Sequence, residues 1–156
     1  FTTKANVELV MLQGSFVGIF EDGTRKVFGV AGTNEKPFEI GVKQANQERY
    51  IYFKEMDDFY GYGKVKDEKI KIQPGLTFAG DINNFGIGKL MMMCYEDTVS
   101  KTTKAKIGIL ADTGSAFAEN SFHLDFLLGT YESKKGFYKD SDKIPPYCDV
   151  YILIKK

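Results

Sequence analysis

The sequence predicts a mainly β protein whose strands close on one another or stack as a sandwich. Three observations predict it. The apolar runs are short and rich in β-branched and aromatic residues. Glycine- and proline-centred turns separate them, with Asp22-Gly23 and Pro74-Gly75 the clearest. The last run alternates in the manner of a strand with one buried face.

VELVMLQGSFVGIF (7–20) and RKVFGVAG (25–32) read as two arms of a hairpin about Asp22-Gly23. KPFEIGVK (36–43) and RYIYFKEM (49–56) read as further strands. FYGYGKVKDEKIKIQPG (59–75) is polar and punctuated by glycine, so it reads as a loop entering a short strand. KLMMMCYED (89–97) and KAKIGILAD (104–112) read as buried strands joined by a polar loop, with Met91 to Met93 in the core. SFHLDFLLG (121–129) is too short for periodicity to choose between helix and strand. YESKKGFYKDSDKIPPY (131–147) reads as a long polar loop and CDVYILIKK (148–156) as a terminal strand.

At 156 residues the chain suits one domain, or one domain with an appendage. Lys+Arg and Asp+Glu both number 21, which argues against a generic nucleic-acid surface, since that needs clustered positive charge. No apolar run approaches the roughly 18 residues of a membrane span. The chain begins at Phe1, as expected of a processed or excised fragment. Cys94 and Cys148 form no CxxC pair, so no metal site and no cofactor are expected. They read as buried free thiols, with a disulfide as the alternative. Gly86-Ile87-Gly88-Lys89 lacks the spacing and hydroxyl of a phosphate loop.

Three aspartates carry the candidate chemistry. Asp81 lies in PGLTFAGDINNFG, Asp112 in ILADTGSAF and Asp125 in SFHLDF. A charge inside an apolar run is costly unless something uses it. On a strand, Asp125 shares a face with Ser121, His123 and Leu127, while Leu124 and Phe126 point the other way; on a helix, Phe122 and Leu128 would lie beside it. The plain readings are a turn for Asp81 and Asp112 and a cap or backbone acceptor for Asp125. His123, the single histidine, reads as a structural hydrogen-bonding residue in reach of the site.

The order of these segments resembles the three-aspartate domain of bacterial cell-wall lytic enzymes, a family that includes membrane-bound lytic transglycosylase A. Pro74-Gly75 precede Asp81, Gly88 follows it, Leu110-Ala111-Asp112-Thr113-Gly114 comes next, then Asp125, then Asp149-Val150-Tyr151-Ile152-Leu153. SFHLDF resembles the HFD of that transglycosylase and of expansins, and Gly136-Phe137-Tyr138 a GWY of the former. Two departures are plain: Ser115 stands where the family has a second glycine, and the Asp112-to-Asp125 interval is longer. The resemblance covers roughly residues 49–156.

It implies a six-stranded double-psi β-barrel over 49–156; residues 1–48 match nothing in that family and read as a β-hairpin appendage or an insertion of unassigned role. It implies a glycosidase-type enzyme of the lytic transglycosylase class acting on peptidoglycan or another cell-wall polysaccharide, resident in the periplasm, on the surface or outside the cell. Asp125 maps to the catalytic acid and Asp112 to its assistant. Asp81, Thr113, Gly114 and Ser115 shape the site. Tyr60 and Tyr62, in an aromatic-rich stretch with Tyr50, Tyr52 and Phe53, are candidates for stacking on sugar rings, against ordinary core packing. Three alternatives stay open: an endoglucanase-type hydrolase on the same barrel, an expansin-like module that binds wall polymer without cleaving it, and a substrate-mimicking or interaction protein with a decayed site.

Overall fold

A computed structural model describes residues 3–37, 39, 41–43, 46–63, 68–118 and 120–155. The chain divides into two compact units, residues 1–59 and 60–156. The boundary expected near residue 48 falls inside the first unit, because β3 (Ile51–Met56) pairs with β2 (Arg25–Thr33).

The first unit opens with a helix, α1 (Lys4–Gln13), where a hairpin arm is expected. Local end signals outweigh the strand-like composition of VELVML. The Thr3 hydroxyl accepts from the Asn6 N–H, which caps the start. Gly14 turns left-handed at φ 72° and its N–H returns to the Val10 carbonyl, which ends the helix. Only Ser15–Ile19 forms β1. The β1–β2 hairpin turns at Asp22-Gly23 as the sequence predicts: Asp22 Oδ1 accepts from the Thr24 N–H at 2.9 Å, and Gly23 takes φ 81°. The sheet order is β1-β2-β3, all antiparallel. Phe16 stacks on Phe28 at 5.0 Å and meets Phe53 edge-on at 5.4 Å, so one face is aromatic. KPFEIGVK forms no strand among its described residues, and Phe38 and Ile40 lie outside them. Tyr50 and Tyr52 are exposed on the way into and along β3.

The second unit holds a mixed sheet of order β7-β4-β6-β5-β8, comprising β4 (Thr77–Ala79), β5 (Leu90–Glu96), β6 (Thr103–Asp112), β7 (Asp125–Phe126) and β8 (Asp149–Ile152). These pairings trace an open five-stranded order, where a closed ring of six is expected; β7 and β8 are its two edges. β4 runs parallel to β6, and the other pairs are antiparallel. The three residues of β4 are too few to announce a strand in the sequence. Alternation along β5 buries Met91, Met93 and Tyr95 and leaves Met92 and Cys94 on the other face. The core is Phe78, Met91, Met93, Tyr95 and Leu110, flanked by Leu124, Phe126 and Cys148. Full burial of each large apolar side chain contributes about 1.5–3 kcal/mol.

Cys148 packs against this core, and Cys94 stands on the opposite face of β5, so the two thiols are free. The Cys148 thiol donates to the Pro145 carbonyl at 3.3 Å, and burial pushes its pKa up.

Two short helices complete the unit. α2 (Ile82–Phe85) follows β4. α3 (Lys134–Ser141) occupies the stretch expected to be a polar loop. Ser133 caps it by accepting from the Gly136 N–H, and Phe137 meets the Tyr131 ring edge-on at 5.6 Å. Among the described residues, no helix is long and apolar enough to cross a membrane.

Candidate active site

Ala79 sits at the centre of the site. On one side it pairs with Asp112 of β6, and on the other with Asp125 of β7. Residues opposite one another across a ladder point to the same face. Asp112 and Asp125 therefore share a face, two strands apart, with Cα atoms roughly 10 Å from each other.

A β-bulge makes this possible. The β4–β6 register runs Phe78↔Leu110 and then Ala79↔Asp112, so Ala111 is the extra residue. Strict alternation from buried Leu110 would send Asp112 into the core face. The extra residue re-aims it to the face opposite Phe78. Asp125 reaches that face by simple alternation, because Phe126 pairs with Phe78 and packs against the core.

The bulge is held from both sides. Gly61 lies so close that a Cβ there would stand 2.6 Å from the Ala111 carbonyl oxygen and 2.9 Å from the Asp112 Cβ. Only a glycine allows that approach. The neighbouring Tyr62 N–H donates to the Ala111 carbonyl at 3.0 Å. Gly61 and Tyr62 also pair with Ile70 through two backbone hydrogen bonds of 2.9 Å, and the adjacent Lys69 acts electrostatically on Asp112. On the other side the Gly80 N–H donates to the Asp112 carbonyl at 3.2 Å, and the Thr113 hydroxyl donates to the Gly80 carbonyl at 2.9 Å.

Asp112 is partly buried, and burial raises its pKa above the ordinary carboxylate value. The Thr113 N–H and the Lys69 charge oppose the shift, and the nearby Asp125 charge adds to it. The sign for stability follows. A group with a raised folded-state pKa favours folding below its unfolded value, near 3.9, and loses that contribution as pH climbs through the folded value. Asp112→Asn is thus expected to raise the melting temperature at pH 7 relative to the parent. The gain should vanish when both are melted near pH 3. An equal melting-temperature difference at both pH values would show that ionised Asp112 bears no such cost.

Asp125 is exposed, with a side chain 68% accessible, so its setting is not the apolar enclosure that FHLDFLL suggests. Its Oδ1 lies 3.3 Å from His123 Nε2. Leu124 packs against the core and would fill the space of any Cβ on Gly80, at 2.5 Å.

Asp81 lies beyond β4 and pairs in neither ladder. It is buried, and its Oδ1 accepts from the N–H groups of Asn83 and Asn84 at 3.0 and 3.3 Å, capping α2. The Asn84 amide in turn donates to the Ser121 hydroxyl. Asp81 thus supports the loop ahead of Asp125 through α2. Gly114 and Ser115 begin the 3-10 turn Ser115–Phe117, which buries Phe117 against the His123 ring. Tyr60 bridges Lys71; Tyr62 and Phe122 are exposed aromatics. Among the described residues, no cluster of three or more His, Cys, Asp or Glu side chains could hold a metal ion.

Gly61, Gly80, Lys69 and Phe117 were not legible as site residues. Apart from Phe117, which meets His123 six residues on, they act through neighbours distant in sequence. The one local hint is the glycine-tyrosine alternation of YGYG at 60–63.

The fold is shared with lytic transglycosylases. The structure of MltA from Escherichia coli with bound chitohexaose superposes with a TM-score of 0.69 at 13% identity, covering 98% of this chain and 55% of that one. MltA from Neisseria gonorrhoeae gives 0.64 at 15%, covering 96% and 44%. A membrane-bound lytic murein transglycosylase from Agrobacterium tumefaciens gives 0.59 at 17%, covering 82% and 44%. The chain spans about half the length of these structures. No family model and no curated protein sequence matches it. At such identities the likeness is one of fold.

Proposed function

We propose that this chain carries the catalytic core of a peptidoglycan lytic transglycosylase, with Asp125 as acid and base and Asp112 beside it. The observation that carries the reading is the pairing of Ala79 with both aspartates, which sets two carboxylates on one face of the sheet. The likeness to MltA, in one case with a bound chitohexaose, supports it. We read the mixed sheet as part of a double-psi β-barrel, and the substrate as a cell-wall glycan met in the periplasm, on the surface or outside the cell.

In this reading protonated Asp125 gives its proton to the glycosidic oxygen as the C1–O bond breaks. The ionised Asp125 then takes the proton of the sugar's own C6 hydroxyl as O6 bonds to C1. The proton count closes, and neither water nor a protein nucleophile is consumed. Asp112 supplies negative charge near the oxocarbenium-like transition state. Exposed Tyr62 offers a ring face to the sugar.

One observation favours a second reading. The acid with the raised pKa is Asp112. With Asp112 as proton donor and Asp125 as base, the pair would activate water, as in an inverting endoglucanase-type hydrolase.

Digestion of purified sacculi, with the soluble products weighed by mass spectrometry, separates the readings. Muropeptides ending in 1,6-anhydro-muramic acid are the expected result. Reducing ends in their place would select the two-carboxylate hydrolase. Binding to sacculi without release of either product would reject catalysis and leave a wall-binding module.

A further inference from the structure

His123 is fixed on several sides. Its backbone N–H donates to the Asn120 carbonyl at 3.1 Å, closing the turn that precedes β7. Its ring lies 4.9 Å from the ring of buried Phe117. Ser121, two residues earlier, is tied to Asn84 of capped α2. Leu124, one residue later, packs against the core. The imidazole is thus carried on a loop anchored before and after it, and its Nε2 comes to 3.3 Å from Asp125 Oδ1.

An exposed aspartate samples several rotamers unless something holds it. General acid catalysis needs the opposite, a carboxyl kept within hydrogen-bond reach of the oxygen it protonates. We propose that His123 is the positioning residue for Asp125: its Nε2 engages Oδ1 and so leaves Oδ2 to carry the proton toward the glycosidic oxygen. This rests on the function proposed above. It assigns His123 no proton transfer of its own and no contact with substrate. It also gives a reason for the long tie from Asp81 through α2, Asn84 and Ser121, which fixes the loop from which His123 reaches out.

The test uses two substitutions and one spectrum. His123→Phe keeps a ring against Phe117 but removes the donor. His123→Gln keeps a donor of similar reach. On sacculi, His123→Phe is expected to lower kcat by about tenfold to a hundredfold with KM little changed, since misplacing a catalytic group by about 1 Å costs up to about a hundredfold. His123→Gln should recover most of the loss. Because His123 is the chain's single histidine, its imidazole nitrogen resonances are unambiguous by NMR. The Nε2 signal should move in Asp125→Asn and stay in place in Lys135→Ala, a control at an exposed position of α3.

A parent protein that cleaves sacculi with His123→Phe unimpaired overturns this inference alone. So does a loss in His123→Phe that His123→Gln fails to recover while both variants keep the parental melting temperature. An unmoved Nε2 signal in Asp125→Asn overturns the contact itself. A parent protein inert on sacculi overturns the proposed function, and the positioning role with it, whatever the NMR signal does.

Discussion

Asp125→Asn is expected to fold like the parent and to lose turnover on peptidoglycan by about 10²–10⁴-fold, the usual worth of a positioned general acid. The fold should survive because little of it depends on this carboxylate. Asp125 joins β7 to β4 through its backbone, and its side chain is exposed. Substitutions at such positions usually stay within about 0.5 kcal/mol. The chemistry should not survive, because an amide of the same shape has no proton to give at neutral pH and cannot take one back. Parental activity in both Asp125→Asn and Asp125→Ala would remove Asp125 from the mechanism. The same assay on Asp112→Asn then discriminates further. If Asp112 is the proton donor of a two-carboxylate hydrolase, the two losses should be comparable. If Asp125 is the sole acid and base, the Asp112 loss should be the smaller.

The parts of this structure that a sequence announces are the ones with local causes. The Asp22-Gly23 hairpin is turn chemistry, and β5, β6 and β8 are apolar runs of strand length. The two helices that differ from expectation also had local causes, but smaller ones. Thr3 and Gly14 bound α1 around a run whose valines and leucines suit a strand, and Ser133 starts α3 within a polar stretch. What lay beyond the sequence is non-local. Nothing in AGD or ILADT shows that β4 will lie parallel to β6, or that Ala111 will be the bulged residue. Yet that single extra residue decides whether Asp112 faces Asp125 or the core. The order of the three aspartates, through the resemblance, gave Asp125 and Asp112 catalytic roles and Asp81 a site-shaping one. The register separates them, with two across Ala79 and Asp81 buried as a helix cap.

Phe78→Ala is expected to destabilise the second unit by about 3–5 kcal/mol, the range for truncating a fully buried aromatic. Phe78 is 1% exposed and pairs with Leu110 on one side and Phe126 on the other. Its ring tilts against Phe126 with centroids 4.7 Å apart, and it leaves no room for a Cβ on Gly108, at 2.9 Å. Little nearby can collapse into the space it leaves, because the parallel β4–β6 ladder fixes the backbones around it. A domain of ordinary stability holds only about 5–15 kcal/mol in all, so this one change should bring the unit close to unfolding at 37 °C. The effect on the site follows from the register. Phe78 precedes Ala79, and Phe126 follows Asp125, so the ring pair forms the floor beneath both carboxylates. Phe78→Leu keeps much of that floor and should lose less stability and less activity. Denaturant midpoints and sacculus turnover measured on the same preparations would check both halves. If Phe78→Ala unfolds at the parental midpoint, Phe78 does not carry the core. If it unfolds early yet turns over at the parental rate while folded, the two carboxylates do not depend on the packing beneath them.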